Sequence, residues 1–310
     1  MRKILALLSA AALALSGCST TNTDTSGTTT GDTNGDTTHW PLTIGEVTID
    51  KAPTKIVSLS PTATEDLFAV GAGDLIVAAD SYSTYPPQAP TTELSGFQPS
   101  AEEVLTFKPD LVVTSTPNPD FEKALNTVGV PVIVMPAADT IADAYTQIEQ
   151  LGALTNHVAD AAAVVADTQT RIDKATATAG EKGNGLKYYH EVDPTFYTIT
   201  DHTFLGNVYS LFGMTSIAPA DGSDYPQLSP EAIIAANPDI IFLADSEGAG
   251  GVTAADVAAR PGWNTIPAVT NHAIYPLNVD IASRWSPRIA DLVEAIAHDL
   301  TTLPATATAH

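Results

Sequence analysis

The chain has 310 residues, with 13 Lys or Arg against 36 Asp or Glu and a formal net charge of −23. A surface this acidic repels phosphate backbones and anionic headgroups, which excludes nucleic acid as a partner and excludes membrane attachment through charge. The single cysteine, Cys18, leaves no pair for a disulfide or for a thiolate-ligated metal.

In chain order, Arg2 and Lys3 precede an apolar run over 4–15 and then Leu15-Ser16-Gly17-Cys18. This is the layout of an export signal over 1–17, and its apolar run is too short to span a bilayer. Small residues directly before the cysteine predict cleavage there and acylation of Cys18, so that the membrane is reached through a lipid anchor only. The stretch 18–39 is nearly all Thr, Ser, Gly, Asn and Asp, which cannot bury enough apolar surface to offset its ordering entropy and is read as a flexible linker. Folded sequence is expected from 40 onward, with no further segment able to cross a membrane.

The folded part contains a duplication. The stretch Ser100-Ala-Glu-Glu-Val-Leu-Thr-Phe-Lys-Pro-Asp-Leu-Val-Val aligns without a gap with Ser229-Pro-Glu-Ala-Ile-Ile-Ala-Ala-Asn-Pro-Asp-Ile-Ile-Phe. In each copy a serine caps a helix, acidic residues fill the first turn, a proline stops it, and a β-branched run follows as a buried parallel strand. The similarity extends outward: a strand over 55–59 and a helix over 62–71 have a weaker counterpart in a strand over 196–199 and a helix over 203–213. Each copy closes with a further strand and helix, over 132–135 and 140 onward, and over 273–277 and 286–300. Strands alternating with helices predict an α/β fold of two Rossmann-like lobes with mostly parallel sheets.

Between the copies, 157–177 is rich in Ala, with apolar residues at helical spacing and neither Gly nor Pro. It predicts one long connecting helix, ended by Gly180 and the Gly183-Asn184-Gly185 turn. The expected organisation is a first lobe over 40–155, the helix over 156–180 and a second lobe over 181–310. The cleft between the lobes is the expected ligand site.

Ser81-Tyr-Ser-Thr-Tyr-Pro-Pro-Gln-Ala, both Ser-x-Glu…Pro-Asp copies, the run 188–193, Tyr225-Pro-Gln-Leu-Ser-Pro-Glu and Ser283-Arg-Trp-Ser-Pro-Arg-Ile occur in the order found in one family. The chain resembles, over about 51–300, the substrate-binding proteins of ABC importers for cobalamin and ferric siderophores, and looks most like the cobalamin-binding branch. The resemblance implies a clam-like pair of lobes on a rigid helix, a cargo in place of a cofactor, and permease subunits as partners. It further implies a monomer on the outer face of the cell membrane or in a periplasm. The family's two docking carboxylates fall on Glu102 and Glu231, although a first-turn glutamate is also favoured by the helix dipole and Glu103 can close a capping box with Ser100.

A corrinoid needs aromatic platforms and a few hydrogen-bond donors. Tyr82, Tyr85, Phe97, Tyr225 and Trp285 stand in loops at strand ends or helix starts, the region where ligands bind in parallel sheets; each ring has the alternative of packing on its own lobe. Phe97 and Tyr225 replace tryptophans of the cobalamin-binding relatives, and a further family tryptophan is absent near Ser115. Arg284 and Arg288 are candidates for holding an anionic chelate, with pairing to the chain's own carboxylates as the alternative. A ferric siderophore or haem is the competing ligand, but a triply charged catecholate wants more cations than the cleft segments carry. His190 and His202, beside Glu191 and Asp201, lack the spacing of a metal site. No Gly-x-Ser-x-Gly elbow or phosphate loop occurs, and Gly71-Ala-Gly73 is followed by Ile76 where a dinucleotide fingerprint needs glycine, so no enzyme is expected.

Overall fold

The computed structural model describes residues 38–220, 222–248 and 250–303. The signal segment, Cys18 and nearly all of the linker lie outside the described residues. A hairpin, β1 (Leu42–Ile44) and β2 (Val47–Ile49), leads into the first sheet. There β3 (Ile56–Leu59), α1 (Pro61–Ala69), β4 (Ile76–Ala79), α2 (Ala101–Leu105), β5 (Leu111–Thr114), α3 (Pro119–Thr127), β6 (Val132–Val134) and α4 (Ile141–Leu154) follow. After α5 (Val158–Ala179) comes a second run: β7 (Lys187–Glu191), α6 (Phe204–Ser210), β8 (Thr215–Ser216), α7 (Pro230–Ala236) and β9 (Ile240–Leu243). The chain finishes with α8 (Ala254–Ala259), α9 (Pro267–Thr270), β10 (Ile274–Pro276), α10 (Val279–Ala282) and α11 (Ile289–Thr302).

The two four-stranded sheets, β4-β3-β5-β6 and β8-β7-β9-β10, are wholly parallel and share one strand order. β3, β5 and β9 are buried along their whole length, which is why they read as apolar runs interrupted only by Ser58 and Thr114. Each copy of the Pro-Asp motif has the same task. Asp110 accepts from the Thr54 amide (2.9 Å), the Thr54 hydroxyl (2.7 Å) and the Lys55 amide (2.8 Å), and Asp239 accepts from the Lys187 amide (2.8 Å). Each aspartate therefore pins the entry of the neighbouring central strand, and these contacts hold Asp110 below the usual carboxylate range although burial alone would raise it.

The expected strand over 196–199 is corrected by the structure. The counterpart of β3 is β7, a Lys-Tyr-Tyr-His-Glu run whose last four residues are buried. Three of its four buried polar ends are partnered: the Tyr188 hydroxyl donates to Asp201 (3.0 Å), His190 Nδ1 lies 2.9 Å from the Tyr209 hydroxyl, and Glu191 forms a two-pronged pair with Arg260 at 2.6 Å, while the buried Tyr189 hydroxyl has no hydrogen-bond partner among the described residues. Satisfied in this way, polar side chains can occupy a central strand. Phe196 instead takes a left-handed φ of 70°, and its neighbours pair outside the sheet, with the Thr198 amide donating to Pro226 O at 3.0 Å.

α5 is 22 residues, about 33 Å at 1.5 Å per residue. Gly180, with φ +58°, ends it. Ala161 packs into the core of the first sheet, and Ile172, Ala175 and Ala179 pack into that of the second. α4 lies close against it: a Cβ on Gly152 would sit 2.3 Å from Ala161 Cβ, so only glycine allows this approach. At the far end Arg171 pairs with Asp291 (2.5 Å) and Glu294 (2.7 Å) of α11.

The two halves meet at a buried ionic cluster. Glu65 of α1 receives Arg284 Nη1 (2.6 Å), the Ser286 hydroxyl (2.5 Å), Arg288 Nε (2.8 Å) and Arg288 Nη2. The Glu65 and Arg284 side chains are 2% and 7% exposed, whereas the Arg171 pairs are 34–47% exposed. Removing one partner of a buried pair leaves an uncompensated charge at about 3–5 kcal/mol, while exposed pairs are worth about 0–1 kcal/mol. Urea unfolding of Glu65→Ala is therefore expected to show a loss of about 3–5 kcal/mol, and Arg171→Ala a loss of under about 1 kcal/mol. Equal losses would mean that the cluster is hydrated in solution.

Candidate ligand-binding cleft

The segment from α10 to Ser286 reaches from the second half across to the first. Arg284 also donates to Tyr82 O (3.0 Å) and Asp280 (2.8 Å), and the Trp285 indole donates to Gln147 Oε1 (2.8 Å) on α4. Two hollows lie on either side of this segment, at the carboxyl ends of the two sheets, the place where open parallel sheets bind ligands. The first, about 600 Å³, is walled by Leu59, Asp80, Tyr82, Phe97 and Thr116. The second, about 430 Å³, is walled by His190, Thr203, Phe204, Tyr225 and Ala244. Ala137, Val279, Ser283, Arg284 and Trp285 belong to both.

Of the aromatic residues picked out by sequence, Tyr82 and Phe97 line the first hollow, Tyr225 the second, and Trp285 both. Tyr82, Phe97 and Tyr225 are 63%, 74% and 56% exposed. Rings this large left in water along one cleft form an apolar patch that wants a partner. Tyr85 and Arg288 stand elsewhere, in a third hollow against α5 and α11, with the Arg288 guanidinium 4.0 Å above the Tyr85 ring. Glu102 and Glu231 are exposed in the first turns of α2 and α7, at matching places in the two halves. Ser100 Oγ accepts from the Glu103 amide at 3.3 Å, and among the described residues no bond returns from Glu103 to complete a capping box.

The cleft is acidic. Asp80 and Asp280 line the first hollow and Asp139 and Asp224 the second, and Arg284, held by Glu65 and Asp280, is the arginine they share. Asp80 is 1% exposed; one oxygen accepts from the Tyr82 (2.8 Å) and Ser83 (2.9 Å) amides, and the other has no partner. Burial raises its pKa against the pull of those amides and of Arg284. Its side chain fits because Gly96 is opposite: a Cβ there would meet Leu59 O at 2.9 Å and Asp80 Oδ2 at 3.0 Å. Sequence reasoning missed Asp80, Glu65 and Gln147. Only the run of Thr64, Glu65 and Asp66 within an otherwise apolar helix hinted that α1 buries charge.

These features are those of a two-lobed solute-binding protein, and the chain belongs to the periplasmic binding protein family, matched over residues 56–280. It is similar to the uncharacterized ABC transporter substrate-binding lipoprotein YvrC of Bacillus subtilis, 31% identical over 82% of each chain. A cobalamin-binding protein of Halobacterium salinarum is 31% identical over 81% of this chain and 70% of its own length. Among solved structures, the periplasmic vitamin B12 binding protein BtuF of Vibrio cholerae superposes with a TM-score of 0.68, at 26% identity over 80% of this chain and 97% of that one.

Burial depresses the pKa of His190 in the second hollow to about 4. The unfolded chain titrates near 6.5, so between these values it binds the extra proton and stability falls as pH falls. Asp245 and Asp299, pushed up to about 6 by burial, act with the opposite sign, so the His190 contribution is read as a difference. From pH 7 to 4.5, wild type is expected to lose about 2–3 kcal/mol more than His190→Gln. Parallel pH profiles of unfolding free energy would show that His190 charges freely in the fold.

Proposed function

We propose that this protein is the extracytoplasmic substrate-binding component of an ABC importer, acylated at Cys18, and that its cleft retains a corrinoid without transforming it. One observation carries the ligand class: a cleft lined by exposed aromatic rings and carboxylates, whose shared arginine is already paired. A broad, largely apolar macrocycle with amide arms suits such walls, whereas a multiply anionic chelate meets repulsion from Asp80, Asp139, Asp224 and Asp280. Relatives named for cobalamin and vitamin B12 support the reading. In it Tyr82, Phe97, Tyr225 and Trp285 are platforms, and Arg284 supplies shape in place of free charge. Tyr85 and Arg288 brace the junction of the lobes, which divide at 40–155 and 181–310 about the helix over 156–180.

Thermal unfolding with cyanocobalamin, haemin and a ferric hydroxamate tests the ligand. Cyanocobalamin at 100 times its dissociation constant is expected to stabilise the fold by about 2.7 kcal/mol. Phe97→Ala and Tyr225→Ala are each expected to weaken it about tenfold with unchanged stability in the free state. A shift with haemin or the hydroxamate alone would transfer the cleft to that ligand.

Glu102 and Glu231, one on each half, are the proposed contacts to arginines of the two permease subunits, a placement that favours electrostatic steering onto a two-fold partner. Replacing both with alanine is expected to leave ligand affinity unchanged and to cut uptake at least about tenfold, since paired charges act mainly on productive encounter. Full uptake by the double variant would remove the assignment.

A further inference from the structure

Trp285 is held from three sides. Its chain neighbours Arg284 and Ser286 are both bound to Glu65. Its indole donates to Gln147 Oε1 at 2.8 Å, and the other end of the same amide, Nε2, donates to Pro136 O at 2.8 Å. The amide's orientation is thereby set, because exchanging its ends would put donor against donor and acceptor against acceptor. Pro136 directly precedes Ala137, and Ala137 and Trp285 are both part of the wall common to the two hollows. Gln147 itself lines neither.

We propose that Gln147 is the positioning residue for Trp285, and that the indole it fixes selects flat macrocycles over compact chelates. This rests on the reading of the cleft as the ligand site. A ring already locked in one orientation loses no rotamer freedom when a planar guest is laid along it, whereas a compact chelate lodged in one hollow meets only the side of that wall that faces it. Freeing the indole therefore penalises the flat guest selectively.

The test compares the dissociation constants of cyanocobalamin and ferrioxamine B for wild type, Gln147→Met and Gln147→Glu. Methionine keeps the length of the side chain and removes both hydrogen bonds, while glutamate keeps an acceptor for the indole but turns an oxygen in place of a donor on Pro136 O. Gln147→Met is expected to weaken cyanocobalamin about tenfold and ferrioxamine B less than about threefold, with Gln147→Glu between wild type and Gln147→Met for cyanocobalamin. The Trp285 indole N–H resonance, assigned by its loss in Trp285→Phe, is expected to move upfield in Gln147→Met, which offers it no acceptor, and to stay downfield in Gln147→Glu, which does. Equal weakening of both ligands, or a moved resonance with an unchanged affinity ratio, overturns the proposal. If wild type binds haemin and not cyanocobalamin, the corrinoid assignment fails and the ratio is read with haemin as the flat guest. A wild type that retains neither macrocycle overturns both.

Discussion

A carboxylate buried between two guanidinium groups organises this molecule. Glu65 lies on the first helix of one half, and Arg284, Ser286 and Arg288 come from near the end of the chain. Desolvating such a cluster is costly, and the arrangement persists because every charge in it finds an opposite charge or a polar partner at hydrogen-bond distance. Geometry is what the cluster contributes. It holds the segment carrying Trp285 across the gap and so turns an open groove into two hollows with one common wall.

The same cluster sets the electrostatics of the cleft. An arginine in a binding groove ordinarily advertises an anionic ligand, but this one directs three of its five N–H donors to Glu65, Asp280 and the Tyr82 carbonyl, and its charge faces two carboxylates. What faces the solvent is aromatic surface edged with carboxylates. A cleft so lined offers area and shape, with hydroxyls, main-chain groups and the buried Asp80 as its polar contacts, in place of charge pairing.

The fold was legible where local rules act alone. Ser100 and Ser229 cap their helices, Pro230 opens one of them, and the Pro-Asp pairs mark the strands that follow, so the duplication displayed both sheets. It failed at β7, because a Tyr-Tyr-His-Glu run looks solvated until Asp201, Tyr209 and Arg260 are seen beside it. The site divided along the same line. Exposed rings in loops are conspicuous in a sequence, and Tyr82, Phe97, Tyr225 and Trp285 all reached the cleft. The roles of Glu65 and Gln147 could not be read, since their partners are 219 and 138 positions away and no periodicity spans such a distance.

The connecting helix belongs to two interiors. Its first turns complete one apolar cluster through Ala161 and its last turns complete the other through Ile172, Ala175 and Ala179. Neither half can melt alone without stripping a beam that the other still grips, so heat should meet a single cooperative unit despite two separate cores. During synthesis the leading half stays unfinished until that beam has emerged, so its core closes only once residues well past its own last strand have been made.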